Sequence, residues 1–193
     1  HVIHRRQRQM CIRDSYKTYQ EMAEKESSRP DGIDVVSIVT PNHLHVPIAK
    51  IFADKGIHII CDKPIGMSSE EAIDLKKIIE SKKLIFALTH NYTGYPMVRH
   101  ARSLVQKGDL GSLRVIQAEY PQDWLTTKAE DSGLKQAEWR TDPNRSGAGG
   151  CIGDIGTHAY NLIRFITGLE VDEISADIHT FVEGRKVDDN AQI

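Results

Sequence analysis

Apolar positions follow one rhythm in the first half of the 193-residue chain and another in the second. Tyr16 to Ser27 alternates as a surface helix does and is closed by the turn residues Arg29-Pro30-Asp31-Gly32. Val35 to Val39 is a short β-branched run, the pattern of a strand buried on both faces. Leu44 to Lys55 predicts a helix ended by Gly56, and Ile57 to Cys61 a second buried strand. Ser68-Ser-Glu-Glu71 offers a capping-box start for a helix running to Lys82, and Leu84 to Leu88 predicts a third strand. Strand, helix, strand, helix, strand with short connections implies right-handed crossovers and a parallel sheet.

The second rhythm begins near His90. Pro96 to Lys107 predicts a helix closed at Gly108, and Leu113 to Tyr120 alternates like a half-exposed strand. A polar stretch from Pro121 to Gly150 follows, long enough to suggest function. A helix over Cys151 to Thr167 and a strand over Val171 to Val182 complete the reading. The expected fold class is therefore α/β: a parallel α/β unit over residues 15–90, then an incomplete α+β unit over residues 91–193.

Composition narrows the function classes. Lys and Arg number 25 against 27 Asp and Glu, a net charge of −2, and a near-neutral chain lacks the basic face that nucleic-acid binding demands. No apolar run approaches the length of a bilayer span, so no membrane partner is expected. The three cysteines, Cys11, Cys61 and Cys151, are scattered with no CxxC pair, which fits free thiols in a reducing, cytoplasmic setting. Residues 1–14 carry four arginines without amphipathic period and read as a non-native leader, the alternatives being a basic arm or a targeting peptide. The last residues read as a hairpin entering an unfinished strand, so a fragment is expected.

In open parallel sheets ligands bind outside the carboxyl ends of the strands. Three polar strand ends occur here: Thr40-Pro-Asn-His-Leu-His45, Asp62-Lys-Pro64 and Thr89-His-Asn-Tyr92. Lys63, fixed by Pro64, is positioned to exchange protons beside a cationic cofactor, or is a solvated loop lysine. Asp154 and His158, four apart on a predicted helix, share a face on which the carboxylate can hold the imidazole as a general base; the plain alternative is a cap and a core histidine. The glycines of Gly147 to Gly156 allow close backbone approach, but they miss GxGxxG spacing and follow no strand. His43, His45, His90 and His158 with Asp154 offer metal-ligand chemistry without a paired spacing on one helix, so no metal is expected. Trp139 and Arg140 can stack on or clamp a flat or anionic ligand.

Together these residues resemble the Gfo/Idh/MocA oxidoreductases, relatives of glucose–fructose oxidoreductase and inositol dehydrogenase, over Tyr16 to Ile193. Thr40 to His45 is similar to the family's nucleotide-contacting turn, and Cys61-Asp-Lys-Pro64 to its Glu-Lys-Pro signature. Trp139-Arg140 is similar to a cofactor-contacting pair, and Gly149 to His158 to the second signature. The resemblance implies a partial Rossmann domain, NAD or NADP as cofactor, and hydride transfer to or from a hydroxyl-bearing carbon of a sugar or cyclitol. Homo-oligomers are implied for the full-length protein. It implies His158 as base, Lys63 in the proton relay, and Asp154 orienting His158 and substrate. Thr40, Pro41, Asn42, His45, Asp62, Lys63, Asn91, Trp139 and Arg140 are the implied cofactor contacts. Asp62 stands where the family has Glu, and Asn161 where an Asp is common. The first β-α-β unit of the family, with its phosphate-binding glycine loop, is not recognised, so this chain alone is expected to bind nucleotide poorly and to be inactive. Alternatives are a non-catalytic sensor or scaffold on the same fold, or a metal-dependent sugar isomerase or hydrolase.

Overall fold

A computed structural model describes residues 15–193; the leader assignment for residues 1–14 lies outside them. The first unit is a three-stranded parallel sheet in the order β1 (Val35–Ile38), β2 (His58–Asp62), β3 (Phe86–Thr89), crossed by helices α2 (His45–Asp54) and α3 (Ser69–Ser81). Val36 pairs with Ile59 and Ile59 with Phe86, so the three polar strand ends emerge together on one edge. A helix packed against α2, α1 (Tyr19–Ser27), starts at Thr18, whose side chain accepts from the Glu21 amide.

The strands expected to be buried on both faces are buried on one: Val35 is 45% and Ile60 38% exposed on the opposite side of the sheet, which none of the described helices covers. Val36, Ile38, Ile59 and Cys61 from the strands meet Val46, Ala49, Phe52 and Ala53 of α2 and Leu75 and Ile79 of α3 in a single apolar cluster. Phe52, 1% exposed, and its neighbours set α2 tightly on the sheet. At the start of α3, Ser68 accepts from the Glu71 amide while Glu71 reaches back to the Met67 amide at 2.8 Å, the reciprocal capping that the sequence predicted.

The second unit comprises α4 (Pro96–Lys107), the short helices α5 (Lys135–Arg140) and α6 (Pro143–Ser146), a π-helical turn (Ile152–Gly156) leading into α7 (Thr157–Thr167), and the antiparallel pair β4 (Asp177–His179) and β5 (Asn190–Gln192). Helices α4 and α7 lie side by side, with Arg102 stacked 4.4 Å over the Phe165 ring. Two expectations need correction. Leu113 to Tyr120 forms no strand, and the strand expected from Val171 to Val182 shrinks to Asp177–His179. The cause is the same in both: these segments are exposed, and the described residues place no strand alongside Leu113 to Tyr120 to complete a hydrogen-bonded ladder. No helix among the described residues is long and apolar enough to cross a membrane.

Candidate active site

The long polar stretch is folded back by a buried clasp. The Arg185 guanidinium, its side chain 1% exposed, binds both oxygens of Glu130 and the carbonyls of Leu125 and Thr127, and also reaches Asp189 at 3.3 Å. This brings the stretch over the carboxyl edge of the sheet. Asp188 then anchors the glycine turn, accepting from the amides of Gly150 at 2.6 Å and Ile152 at 2.8 Å, and from the Cys151 thiol. Burial and the Asp188 carboxylate push that thiol up to about 12, so it stays protonated as a donor. The approach is close enough to require glycine: a Cβ on Gly150 would lie 2.1 Å from the Asp188 carbonyl oxygen.

The anchored turn presents Asp154 to two cations. One carboxylate oxygen lies 3.0 Å from Lys63 Nζ and the other 3.2 Å from Arg140 Nε. Lys63 also donates to the Asp154 backbone carbonyl, and the bond joining it to Pro64 is cis. All three side chains are about a quarter exposed or less, so these are charge-assisted contacts in a half-dry setting. Arg140 is held further by Gln136 and by the face of Trp139, 4.2 Å away.

His158, on the next turn, is the expected base, but Asp154 does not hold it: the carboxylate is committed to Lys63 and Arg140, and it makes no hydrogen bond to the imidazole. The π-helical turn at Asp154 replaces the regular α-helix on which the shared face was predicted. His158 is 9% exposed, and its ring packs 4.6 Å from Tyr92. Burial, then the neighbouring Lys63 and His90 charges, lower it to about 4, with Asp154 opposing weakly. Asp154 acts in the expected direction, raising the basicity of His158, but burial, Lys63 and His90 outweigh it. At neutral pH the ring is uncharged and has a lone pair free to accept a proton.

Two cavities meet at this cluster. The larger, about 730 Å³, runs along the strand ends and is lined by Thr40, Pro41, Asn42, Asp62, Asn91 and Trp139 together with Lys63, Arg140, Asp154 and His158. The smaller, about 410 Å³, is lined by Tyr92, Tyr120, Gln122, Trp124, Gln136 and Ile155, with the same Lys63, Arg140, Asp154 and His158 as a shared wall. The structure therefore gathers every site residue expected from the sequence except His45. That residue is 1% exposed beneath the edge, with Nδ1 2.7 Å from the Pro64 carbonyl and Nε2 2.8 Å from the Thr40 carbonyl. It ties two strand-end loops together and does not touch the cavity. Asn42 and Asp62 also have protein partners, the Ser146 carbonyl at 2.7 Å and the Thr89 hydroxyl at 2.7 Å. Among the described residues no group of three or more His, Cys, Asp or Glu converges as a metal site.

Sequence reasoning missed the smaller cavity. Tyr92 and Trp124 were visible as aromatic residues in polar loops, but only the Arg185 clasp brings Gln122 and Trp124 opposite Tyr92, and nothing near Arg185 in sequence signals it.

A parallel sheet edge opening onto a cavity, in a chain of strand–helix–strand units, defines a Rossmann-type α/β protein. The chain belongs to the GFO/IDH/MocA oxidoreductases: the family model described as "Oxidoreductase family, NAD-binding Rossmann fold" matches residues 3–90, and the GFO/IDH/MocA C-terminal domain matches residues 98–193. Similar proteins include the uncharacterized oxidoreductase YfiI of Bacillus subtilis, 33% identical over 92% of this chain and 46% of that protein. A levoglucosan dehydrogenase of Pseudarthrobacter phenanthrenivorans is 34% identical over 81% of this chain and 38% of its own length. Among solved structures, an inositol dehydrogenase homolog complexed with NAD+ from Azotobacter vinelandii superimposes with a TM-score of 0.88 at 30% identity, covering 91% of this chain and 46% of that one. The chain thus spans less than half the length of these relatives. The family resemblance drawn from the four motifs holds, as does the α/β class with a Rossmann-type first unit.

Proposed function

We propose that this chain carries the site where an NAD(P)-dependent dehydrogenase oxidises or reduces a hydroxyl-bearing carbon of a sugar or cyclitol. The observation that carries the reading is the shared wall: two cavities, one along the strand ends and one aromatic, meet at Lys63, Asp154 and His158. The larger cavity suits a flat, polar ring at the strand ends. Trp139 offers a face, Asn91 an amide, and the buried Thr40 hydroxyl has no protein partner. Because this cavity adjoins Lys63 and His158, it would hold the nicotinamide end of the cofactor. When bound, the nicotinamide supplies the acceptor for the hydride.

The chain's own groups then handle the hydroxyl. Neutral His158 takes its proton as the carbonyl forms. Lys63, held by Asp154, donates a hydrogen bond to the oxygen on which negative charge develops, a contact worth most in the transition state. Asp154 is the positioning residue for Lys63 and Arg140. Tyr92, Tyr120 and Trp124 give the smaller cavity apolar faces for the C–H faces of a ring, and Gln122 and Gln136 give amides for its hydroxyls. Both cations of that wall are engaged by Asp154, which favours an uncharged polyol over a phosphorylated sugar. Substitution of Lys63 by Ala in the full-length gene product tests the reading: a fall in turnover of at least ~100-fold is expected. An unchanged rate would remove Lys63 from the chemistry.

A further inference from the structure

His158 has lost the carboxylate partner that its sequence suggested, so something else must fix its ring. Two side chains from the turn after β3 do so. Tyr92 lies 4.6 Å away at 58°, and His90 presents its ring edge-on at 6.0 Å and 90°. His90 lines neither cavity, and its Nδ1 is buried without a hydrogen-bond partner. It plays no part in the reaction scheme above.

We propose that His90 is a positioning residue for His158, setting its ring plane together with Tyr92 and excluding a second positive charge beside it. This rests on His158 being the base. The charge inventory around the pair supports it. Lys63 faces both rings from the end of β2, and Asp154 faces His158 from the π-helical turn, its carboxylate already engaged by Lys63 and Arg140. Tyr92 is held by Tyr120 and pushed up to about 12, so it stays a neutral phenol beside His158. From α4, Arg102 lies over Phe165, further along α7. Two imidazolium rings 6.0 Å apart beside Lys63 would therefore repel with no free carboxylate to offset them. Burial first, then Lys63, also keeps His90 below the ordinary histidine range. A proton on His90 thus withholds one from His158, and a neutral His90 leaves His158 able to accept the substrate's proton.

Histidine ring signals followed by NMR across pH test this in the full-length gene product. In the wild type, His90 and His158 should each titrate in two steps, because each senses the other; two independent single steps would overturn the proposal. In His90→Phe and His90→Gln the His158 midpoint should rise by about half a pH unit or more, the water-screened limit for two like charges at that spacing. The His158 ring should keep its contact with Tyr92 in His90→Phe and lose it in His90→Gln. An unmoved midpoint in either folded variant would overturn the coupling. Turnover of His158→Asn separates the two claims: if it survives, the base assignment fails, whereas its loss together with an unmoved midpoint defeats only the role of His90.

Discussion

The glycine turn that delivers Asp154 depends on a backbone approach that a single methyl group should break. In Gly150→Ala the new Cβ would lie 2.1 Å from the Asp188 carbonyl oxygen and 2.7 Å from Val187 Cγ2, where ordinary contact begins at 3.4 Å. One backbone must retreat by about 1.3 Å, since neither obstacle is the far end of a flexible side chain. Four contacts of 2.6–2.9 Å cross this gap: from the Gly150 and Ile152 amides and the Cys151 thiol to the Asp188 carboxylate, and from the Cys151 amide to its carbonyl. At about 1 kcal/mol for each bond lost, more for those to a carboxylate, and with partial relaxation, the cost is about 3 kcal/mol. At ~2–4 °C per kcal/mol for a protein of this size, the melting midpoint should fall by about 6–12 °C. Gly153→Ala is the control, because nothing lies within 4 Å of its Cβ. Circular dichroism melts of the three proteins decide the matter. A Gly150→Ala midpoint within about 2 °C of wild type would refute the close-approach argument.

Other residues give sharper or slower tests. His45→Ala removes the buried ring N–H that donates to the Thr40 or Pro64 carbonyl and opens a void beneath the strand ends, which should cost about 2–4 kcal/mol in urea unfolding, whereas the cofactor-contact role would predict little loss of stability. His158, lowered to about 4 in the folded protein from about 6.5 unfolded, binds fewer protons folded than unfolded between those values. Its contribution is therefore complete above about pH 6.5 and lost as pH falls toward 4, roughly 2 kcal/mol after screening; the pH slope of stability should be shallower in His158→Asn, and equal slopes would contradict the shift. Arg185→Lys keeps the charge but cannot span Glu130 and the Leu125 and Thr127 carbonyls, so limited proteolysis should open residues 121–134 faster than in wild type, while an unchanged digestion pattern would count against the clasp.

The first unit was legible because its signals are local. β-Branched runs such as Val35 to Ile38 and Ile57 to Cys61 mark strands, although only the Val36, Ile38, Ile59 and Cys61 face is buried, and Ser68 with Glu71 marks a helix start without any tertiary contact. Short connections then bring Thr40, Asp62 and Asn91 to one edge, which is why most of the larger cavity could be read in advance. Long-range partners were not legible. His45 lies among polar strand-end residues, yet Thr40 and Pro64 carbonyls take both its nitrogens and draw it inward. Asp154 and His158 satisfied the helical spacing, but Lys63, 91 residues away, outcompeted the imidazole for the carboxylate. The second unit failed where strands were involved: alternation at Leu113 to Tyr120 says which face is apolar, and only a partner strand makes it a ladder.

The central claim is that a substrate C–H bond is broken at the junction of the two cavities while His158 takes the hydroxyl proton. Its most direct test is isotope transfer. The full-length gene product is incubated with oxidised NAD or NADP and neutral sugars or cyclitols deuterated at each carbinol carbon in turn. Reduced nicotinamide carrying deuterium from one carbon, slowed by at least ~100-fold in both Lys63→Ala and His158→Asn, is the result the account predicts. Deuterium washed into water, or transfer that persists undiminished in both variants, would contradict it.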